Sequence, residues 1–132
     1  MTVAPVFLTV EQVLRLHQRL VERYGGDPGI LSLDLLESAV TMPMATFGGH
    51  FLHEGLAAMA AAYLFHICKN HPFADGNKRT ALAAAELFVL ANGKRVRATN
   101  RELERLTRRV AAGALPKGEV VRFFEERIVE PK

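Results

Sequence analysis

Cysteine is nearly absent from this sequence, because Cys68 is the only one in 132 residues. A single cysteine excludes an internal disulfide and a zinc site made of cysteines. Cys68 lies in an apolar run, so we interpret it as a buried thiol rather than a nucleophile.

Long hydrophobic runs are also lacking. No segment approaches the ~20 apolar residues that span a bilayer, and no N-terminal segment combines basic residues with a long apolar run. We therefore expect a cytoplasmic protein with no membrane partner.

An excess of one charge is missing as well. The net charge of +3 is spread along the chain, so direct nucleic-acid binding is not expected. The arginines are denser in the C-terminal half, where we interpret them as a solvated face, with an acidic partner or nucleic acid as the minority alternative. They are Arg95, Arg97, Arg101, Arg105, Arg108 and Arg109.

Helical periodicity dominates what is present. With 49% hydrophobic residues in 132, the chain can bury one core, so we predict a single domain over residues 1–132. Apolar spacing and capping pairs, such as Thr9 with Gln12 and Asp34 with Glu37, indicate an all-α bundle of about six helices. The predicted helices are Thr9–Tyr24, Asp34–Val40, Leu52–Asn70, Asn77–Asn92, one capped by Thr99 and Glu102, and one opening at Pro116.

Two segments break this helical pattern. Met42–His53 carries a proline and two glycines, which indicates an exposed loop or a small hairpin before the central helix, 52–70. Lys94–Ala98 alternates charged and apolar residues, which indicates a short extended segment.

Residues 71–80, HPFADGNKRT, are the most polar stretch between two apolar helices. His71 can act as a general base near neutral pH. Phe73 can turn inward and anchor the loop. Asp75 could hold magnesium beside phosphates, could cap the next helix, or could do both.

The second helix begins within this stretch, with Gly76, Asn77, Lys78 and Arg79. Two cations at a helix N-terminus oppose the helix dipole, and a bound anion would relieve that conflict. A base, a metal ligand and an anion site together indicate phosphoryl or nucleotidyl transfer. Each residue alone is compatible with an ordinary surface turn, but the combination favours a functional site.

These residues resemble the signature of the Fic/Doc family, and in particular its Doc (death-on-curing) toxin branch. The general Fic signature has a glycine where this chain has Lys78 and a second arginine where it has Leu82; both departures are typical of Doc. Further similar segments are LTVEQVL (8–14), RYGG (23–26), LLESA (35–39), ATFGG (45–49) and LF…NG (87–93).

The resemblance implies an all-α Fic fold and a role for each matching residue. His71 would deprotonate the target hydroxyl, Asp75 would hold magnesium, and Phe73 would anchor the loop. The anion hole would comprise Gly76, Asn77, Lys78 and Arg79. A flap before the central helix would align the target, and it would include Thr46, Phe47 and Gly48.

The resemblance also implies an activity and partners. Doc proteins are kinases that use magnesium and ATP to phosphorylate a threonine of elongation factor Tu, which arrests translation. Lys78 and Leu82 favour this activity over the AMP transfer typical of other Fic enzymes, which remains an alternative, as does a catalytically idle, partner-binding member. The nearest match to an inhibitory Fic glutamate is Glu54, which lacks the motif's hydroxyl residue, so a Phd-type antitoxin is implied.

Four further histidines are interpreted as structural. His50 and His53 most simply belong to a solvated loop, although their spacing leaves a metal site open. His66 is interpreted as a packed residue of the central helix, and His17 as a boundary residue of the first helix.

Overall fold

The computed structural model describes residues 4–132, so the predicted domain, 1–132, includes three residues outside the described part and stays a prediction. Six α-helices and two small sheets form the chain in the order α1 Val10–Tyr24, α2 Leu33–Thr41, a 3-10 turn Met42–Met44, β1 Thr46–Phe47, β2 His50–Phe51, α3 Gly55–Asn70, α4 Asn77–Ala91, β3 Arg95–Val96, α5 Asn100–Ala111, α6 Lys117–Arg127 and β4 Ile128–Val129. The predicted class, an all-α bundle with a hairpin before its central helix, is confirmed. Within residues 4–132, none of the helices has both the length and the apolarity to cross a membrane.

Helix α3 is the centre of the bundle. It packs against α2, α4, α5 and α6. Its alanines at 60, 61 and 62 are fully buried, and such small side chains let neighbouring helices approach closely. The hydroxyl of Tyr63 accepts the N–H of Leu8 at 2.9 Å, which fixes the segment before α1 to the core.

Two of the three predicted capping pairs are present. Thr9 with Gln12 and Thr99 with Glu102 each form a complete capping box at α1 and α5. The predicted cap of α2 is wrong, because the hydroxyl of Ser32 accepts the N–H of Leu35 at 3.1 Å and α2 begins at residue 33.

The segment before α3 forms the predicted hairpin. Thr46 pairs with Phe51 and Phe47 with His50, across a turn at Gly48 and Gly49. Both glycines have positive φ, 60° and 82°, as the favoured two-residue hairpin turn requires. Helix α3 begins at residue 55 rather than at the predicted 52, because the N–H of Leu52 still belongs to the hairpin and donates to the Ala45 carbonyl at 2.9 Å.

The second sheet joins distant parts of the chain. Residues 95–96 are extended, within the predicted segment, and pair antiparallel with residues 128–129. The side chain of Arg127 contacts Glu102 at 2.9 Å, which links α6 to the start of α5. Hydrogen bonds from Thr99 and Arg127 lower the pKa of the Glu102 carboxyl to about 2.

Candidate active site

The loop between α3 and α4 begins at His71, which ends α3 in a left-handed conformation with φ 47° and ψ 55°. Its N–H donates to the carbonyl of Ile67 at 3.1 Å, and its side chain is exposed. This conformation costs a non-glycine residue roughly 1–2 kcal/mol. The reversed backbone leaves the imidazole at the edge of a cavity described below.

The loop is closed from within by Asn77. Its side-chain oxygen accepts the N–H of Phe73 at 3.0 Å, and its amide group donates to the Phe73 carbonyl at 2.8 Å. Phe73 itself is fully buried, as predicted for an anchor. Both polar groups of the Asn77 side chain are engaged by Phe73. Asn77 could therefore contribute only its main-chain N–H to the predicted anion hole.

The α1–α2 connection supports the loop from outside. The N–H groups of Leu31 and Ser32 donate to the Pro72 carbonyl at 2.8 and 3.2 Å, and the N–H of Ala74 donates to Gly29 at 2.9 Å. Together with an antiparallel bridge between residues 30 and 73, these bonds align the two segments as a short ribbon.

Asp75 is oriented by this same connection. Its Oδ2 accepts the N–H of Asp27 at 2.9 Å, and its side chain is exposed at the cavity. Asp75 does not cap α4, because the N-cap residue is Gly76 and no side chain within residues 4–132 caps that helix. Of the two predicted roles, only the one as a metal ligand is left.

His17 packs beneath the loop, so its interpretation as a boundary residue is wrong. It is 2% exposed, and its ring stacks on Phe73 with centroids 3.7 Å apart. Its Nε2 lies 2.8 Å from the Asp75 carbonyl. A Cβ at Gly76 would lie 3.5 Å from this ring, at a φ of 79° that favours glycine. The sequence signal for this packing role is the position of His17, a polar residue on the apolar face of α1.

The start of α4 is an uncapped helix N-terminus. The N–H groups of residues 77–79 lie in the first turn, where no intrahelical acceptor is available. Lys78 and Arg79 are exposed beside them, and the Arg79 guanidinium lies 4.4 Å from the centroid of the Tyr24 ring. Free donors, the helix dipole and two cations are what the predicted anion site requires.

These groups share one cavity of about 600 Å³. Its lining comes from the loop, from α4 and from α5, and the sequence did not connect α5 with the site. The lining residues are His71, Ala74, Asp75, Gly76, Asn77, Lys78, Arg79, Leu82, Glu104, Thr107 and Arg108. Within the described chain, the flap residues Thr46, Phe47 and Gly48 do not line it, and Phe47 is 80% exposed.

A single carboxylate fits the predicted magnesium. Residues 4–132 contain no group of three or more histidine, cysteine or carboxylate side chains able to hold a metal. Magnesium usually takes one or two carboxylates and completes its octahedron with phosphates and water. Asp75, oriented and beside the anion site, matches that donor set.

Three basic side chains meet away from the cavity. The interpretation of His53 as part of a solvated loop is wrong, because its Nε2 lies 2.5 Å from Lys117 Nζ and the residue is 9% exposed. His66 Nε2 lies 2.7 Å from the same nitrogen.

Cys68 is buried as predicted, and burial raises its pKa to about 11. Its thiol therefore stays protonated and unreactive.

A family model and two known proteins match parts of this chain. The Fic/DOC family model matches residues 7–89. Toxin Doc of Mycolicibacterium smegmatis is 43% identical over 70 residues, which cover 53% of this chain and 54% of that protein, so the chain spans about half of its length. Protein kinase doc of Escherichia phage P1 is 34% identical over 89 residues, which cover 67% of this chain and 70% of that protein. The chain therefore belongs to the Fic/DOC family.

Proposed function

We propose that this chain is a cytoplasmic toxin of the Doc type, a protein kinase that transfers the γ-phosphate of ATP to a hydroxyl side chain of a translation protein. A threonine of elongation factor Tu is the first target to test. The observation that carries the proposal is that His71 shares one cavity with the uncapped, cationic start of α4. Relatives named as a toxin and as a protein kinase support it.

His71 is placed to act as the general base. Its imidazole is exposed at the cavity that holds the anion site, so it can take the proton of a target hydroxyl there. The hydroxyl oxygen forms a bond to the γ-phosphorus, the bond from that phosphorus to the β–γ bridging oxygen breaks, and ADP leaves. The proton stays on His71 until it passes to solvent.

The start of α4 stabilises the charge of the phosphates. The N–H groups of residues 77–79 supply fixed donors, and Lys78 and Arg79 supply full charges. Such preorganised donors contribute most where negative charge moves between oxygens during the reaction. Asp75 would hold magnesium, which when bound neutralises phosphate charge, and the Asp27 N–H fixes the direction of that carboxylate.

Transfer of the γ-phosphate rather than AMP is supported by two positions of α4. Lys78 adds a cation inside the anion site, and Leu82 places an apolar side chain one turn further along the cavity. An AMP-donating pose would need a cation for the distal phosphates at that turn.

A Phd-type antitoxin is the proposed regulator. Glu54, the nearest match to an inhibitory glutamate, is the exposed N-cap residue of α3 and does not line the cavity within the described chain. Inhibition would then come from a second protein, as expected for a toxin.

The activity can be tested with labelled ATP. The protein is incubated with a bacterial translation extract, magnesium and ATP labelled at either the α- or the γ-phosphate. We expect γ-label on one protein, with the label absent for His71→Ala and for Asp75→Asn. Label from the α-phosphate would indicate that the enzyme is an AMP transferase rather than a kinase. No label from either position, with His71→Ala as toxic as the wild type in cells, would favour an idle binding protein.

A further inference from the structure

The side of the cavity formed by α5 carries charged groups that the proposed reaction has not used. Glu104, Thr107 and Arg108 line the cavity together with the residues of the predicted anion site. All three lie outside residues 7–89, the part of the chain that the family model matches. The match to the family model therefore says nothing of their role.

Arg108 is free to bind a ligand in this cavity. It lies in the last turn of α5, and its side chain is 65% exposed. Its Nη2 is 3.6 Å from Glu104 Oε1, one turn earlier, at the long end of an ion pair. Exposed pairs of this kind contribute only about 0.3–0.5 kcal/mol, so a phosphate can displace Glu104 at little cost.

The position of Leu82 makes the second turn of α4 apolar where it lines the cavity. Leu82 occupies the turn of α4 after Lys78 and Arg79, and it lines the same cavity as Arg108. The α4 side of the cavity thus has cations at its first turn and an apolar side chain at its second. Among the described residues that line the cavity, Arg108 on α5 is the one lysine or arginine besides Lys78 and Arg79.

We propose that Arg108 is a phosphate-binding residue of this cavity, which contacts the polyphosphate chain of the nucleotide from α5, while Lys78 and Arg79 contact it from α4. The proposal deepens the proposed function and rests on its nucleotide site. A guanidinium suits this role because it can donate two parallel hydrogen bonds to phosphate oxygens.

The neighbouring Arg109 is a matched control. It lies on the same helix, and it is exposed like Arg108, but it lines a groove between α5 and α6 together with Leu115 and Phe123. Arg108→Gln and Arg109→Gln remove the same charge from adjacent positions. A difference between the two variants therefore reports a local contact rather than a change in net charge.

Binding is measured directly by calorimetry at fixed ionic strength, in a His71→Ala background so that ATP is not consumed. The probes are ATP, inorganic tripolyphosphate and adenosine.

Loss of a charge-assisted hydrogen bond corresponds to about tenfold weaker binding. We expect Arg108→Gln to weaken the binding of ATP and of tripolyphosphate by about that factor. The binding of adenosine should be unchanged. Arg109→Gln should change all three by less than about twofold, and Arg108→Lys should recover part of the loss.

Three results would overturn the proposal. The first is that Arg108→Gln binds ATP as tightly as its parent. The second is an equal loss for Arg108→Gln and Arg109→Gln, which would indicate a long-range charge effect. The third is a loss for adenosine as well, which would place Arg108 against the base. If tripolyphosphate binding depends on Arg108 but no γ-label is transferred, the proposal stands and the kinase activity fails.

Discussion

His71 combines an exposed imidazole with an unfavourable backbone. Among residues 4–132 it is the one non-glycine residue with positive φ, and the left-handed region is where glycine has its advantage. We expect His71→Gly to be more stable to denaturant unfolding than His71→Ala, by about 1 kcal/mol, although both variants lack the proposed base.

Lys69, in the last turn of α3, provides the control for this comparison. Glycine costs about 0.5–1 kcal/mol relative to alanine in regular helix, so Lys69→Gly should be less stable than Lys69→Ala. A lower stability of His71→Gly than of His71→Ala would contradict the left-handed conformation.

Asn77 is expected to matter to stability as well as to the site. It is 6% exposed, and Asn77→Ala leaves the buried N–H and carbonyl of Phe73 without partners. We expect a loss of about 2 kcal/mol in the free energy of unfolding, measured in urea. Asn70→Ala, which removes one bond to Leu35 at an exposed position, should cost less than half as much. Equal losses for the two variants would show that Asn77 does not close the loop.

At the residue scale, the sequence predicted the contiguous part of the site. His71, Asp75, Lys78 and Arg79 come together because one loop and one helix turn carry them. His17 and the α5 residues come from other elements. The spacing of residues within the signature stretch does not predict that these elements pack beside the loop. The orientation of Asp75 by the α1–α2 connection is a contact of the same long-range kind.

At the scale of elements, the hairpin presents its apolar side chain to solvent. Phe47 is 80% exposed at the turn, so Phe47→Ser should change the free energy of unfolding by less than about 0.5 kcal/mol. If the hairpin aligns the target, this variant should lower kcat/KM for the protein target and leave ATP binding unchanged.

Leu90→Ser is the matched control for Phe47→Ser. Leu90 is 59% exposed near the end of α4 and does not line the cavity. Leu90→Ser should change neither the free energy of unfolding nor kcat/KM for the protein target. An equal loss of target modification in the two variants would remove the case for a docking role of the hairpin.

Elements were predictable where local chemistry encodes them. The capping boxes of α1 and α5 and the glycine turn of the hairpin are complete within a few residues. The cap of α2 was assigned to the wrong residue because two possible N-cap residues, Ser32 and Asp34, lie only two positions apart. The partner of residues 95–96 was not predictable, because a two-residue strand carries too little pattern to identify its mate.

At the scale of the whole molecule, Lys117 joins the hairpin end, α3 and α6. The groups that face His66 are His53, Lys117 and Lys69. Burial, followed by the charge of Lys117, lowers the pKa of His66 to about 4. The unfolded state therefore binds more protons than the folded state between about pH 4 and 6.5. Stability should fall as the pH falls through this range.

The pH effect can be isolated with two histidine variants. We expect the free energy of unfolding of His66→Gln to depend less on pH between 4 and 6.5 than that of the wild type. His50→Gln, at an exposed position of β2, should keep the wild-type slope. Identical slopes for the wild type and His66→Gln would show that His66 is not held neutral by the fold.

The ribbon between the α1–α2 connection and the signature loop has a consequence for local opening. The N–H groups of Asp27, Leu31 and Ala74 all donate across these two segments, and the Asp27–Asp75 pair is 48 residues apart in the chain. Amides bonded across one such unit become accessible in a single cooperative event. Their hydrogen exchange should therefore share one opening free energy, below that of α3. Because the same event releases Asp75 and the backbone beside His71, the positions of the proposed base and of the predicted metal ligand would be lost together while the helical core is still folded.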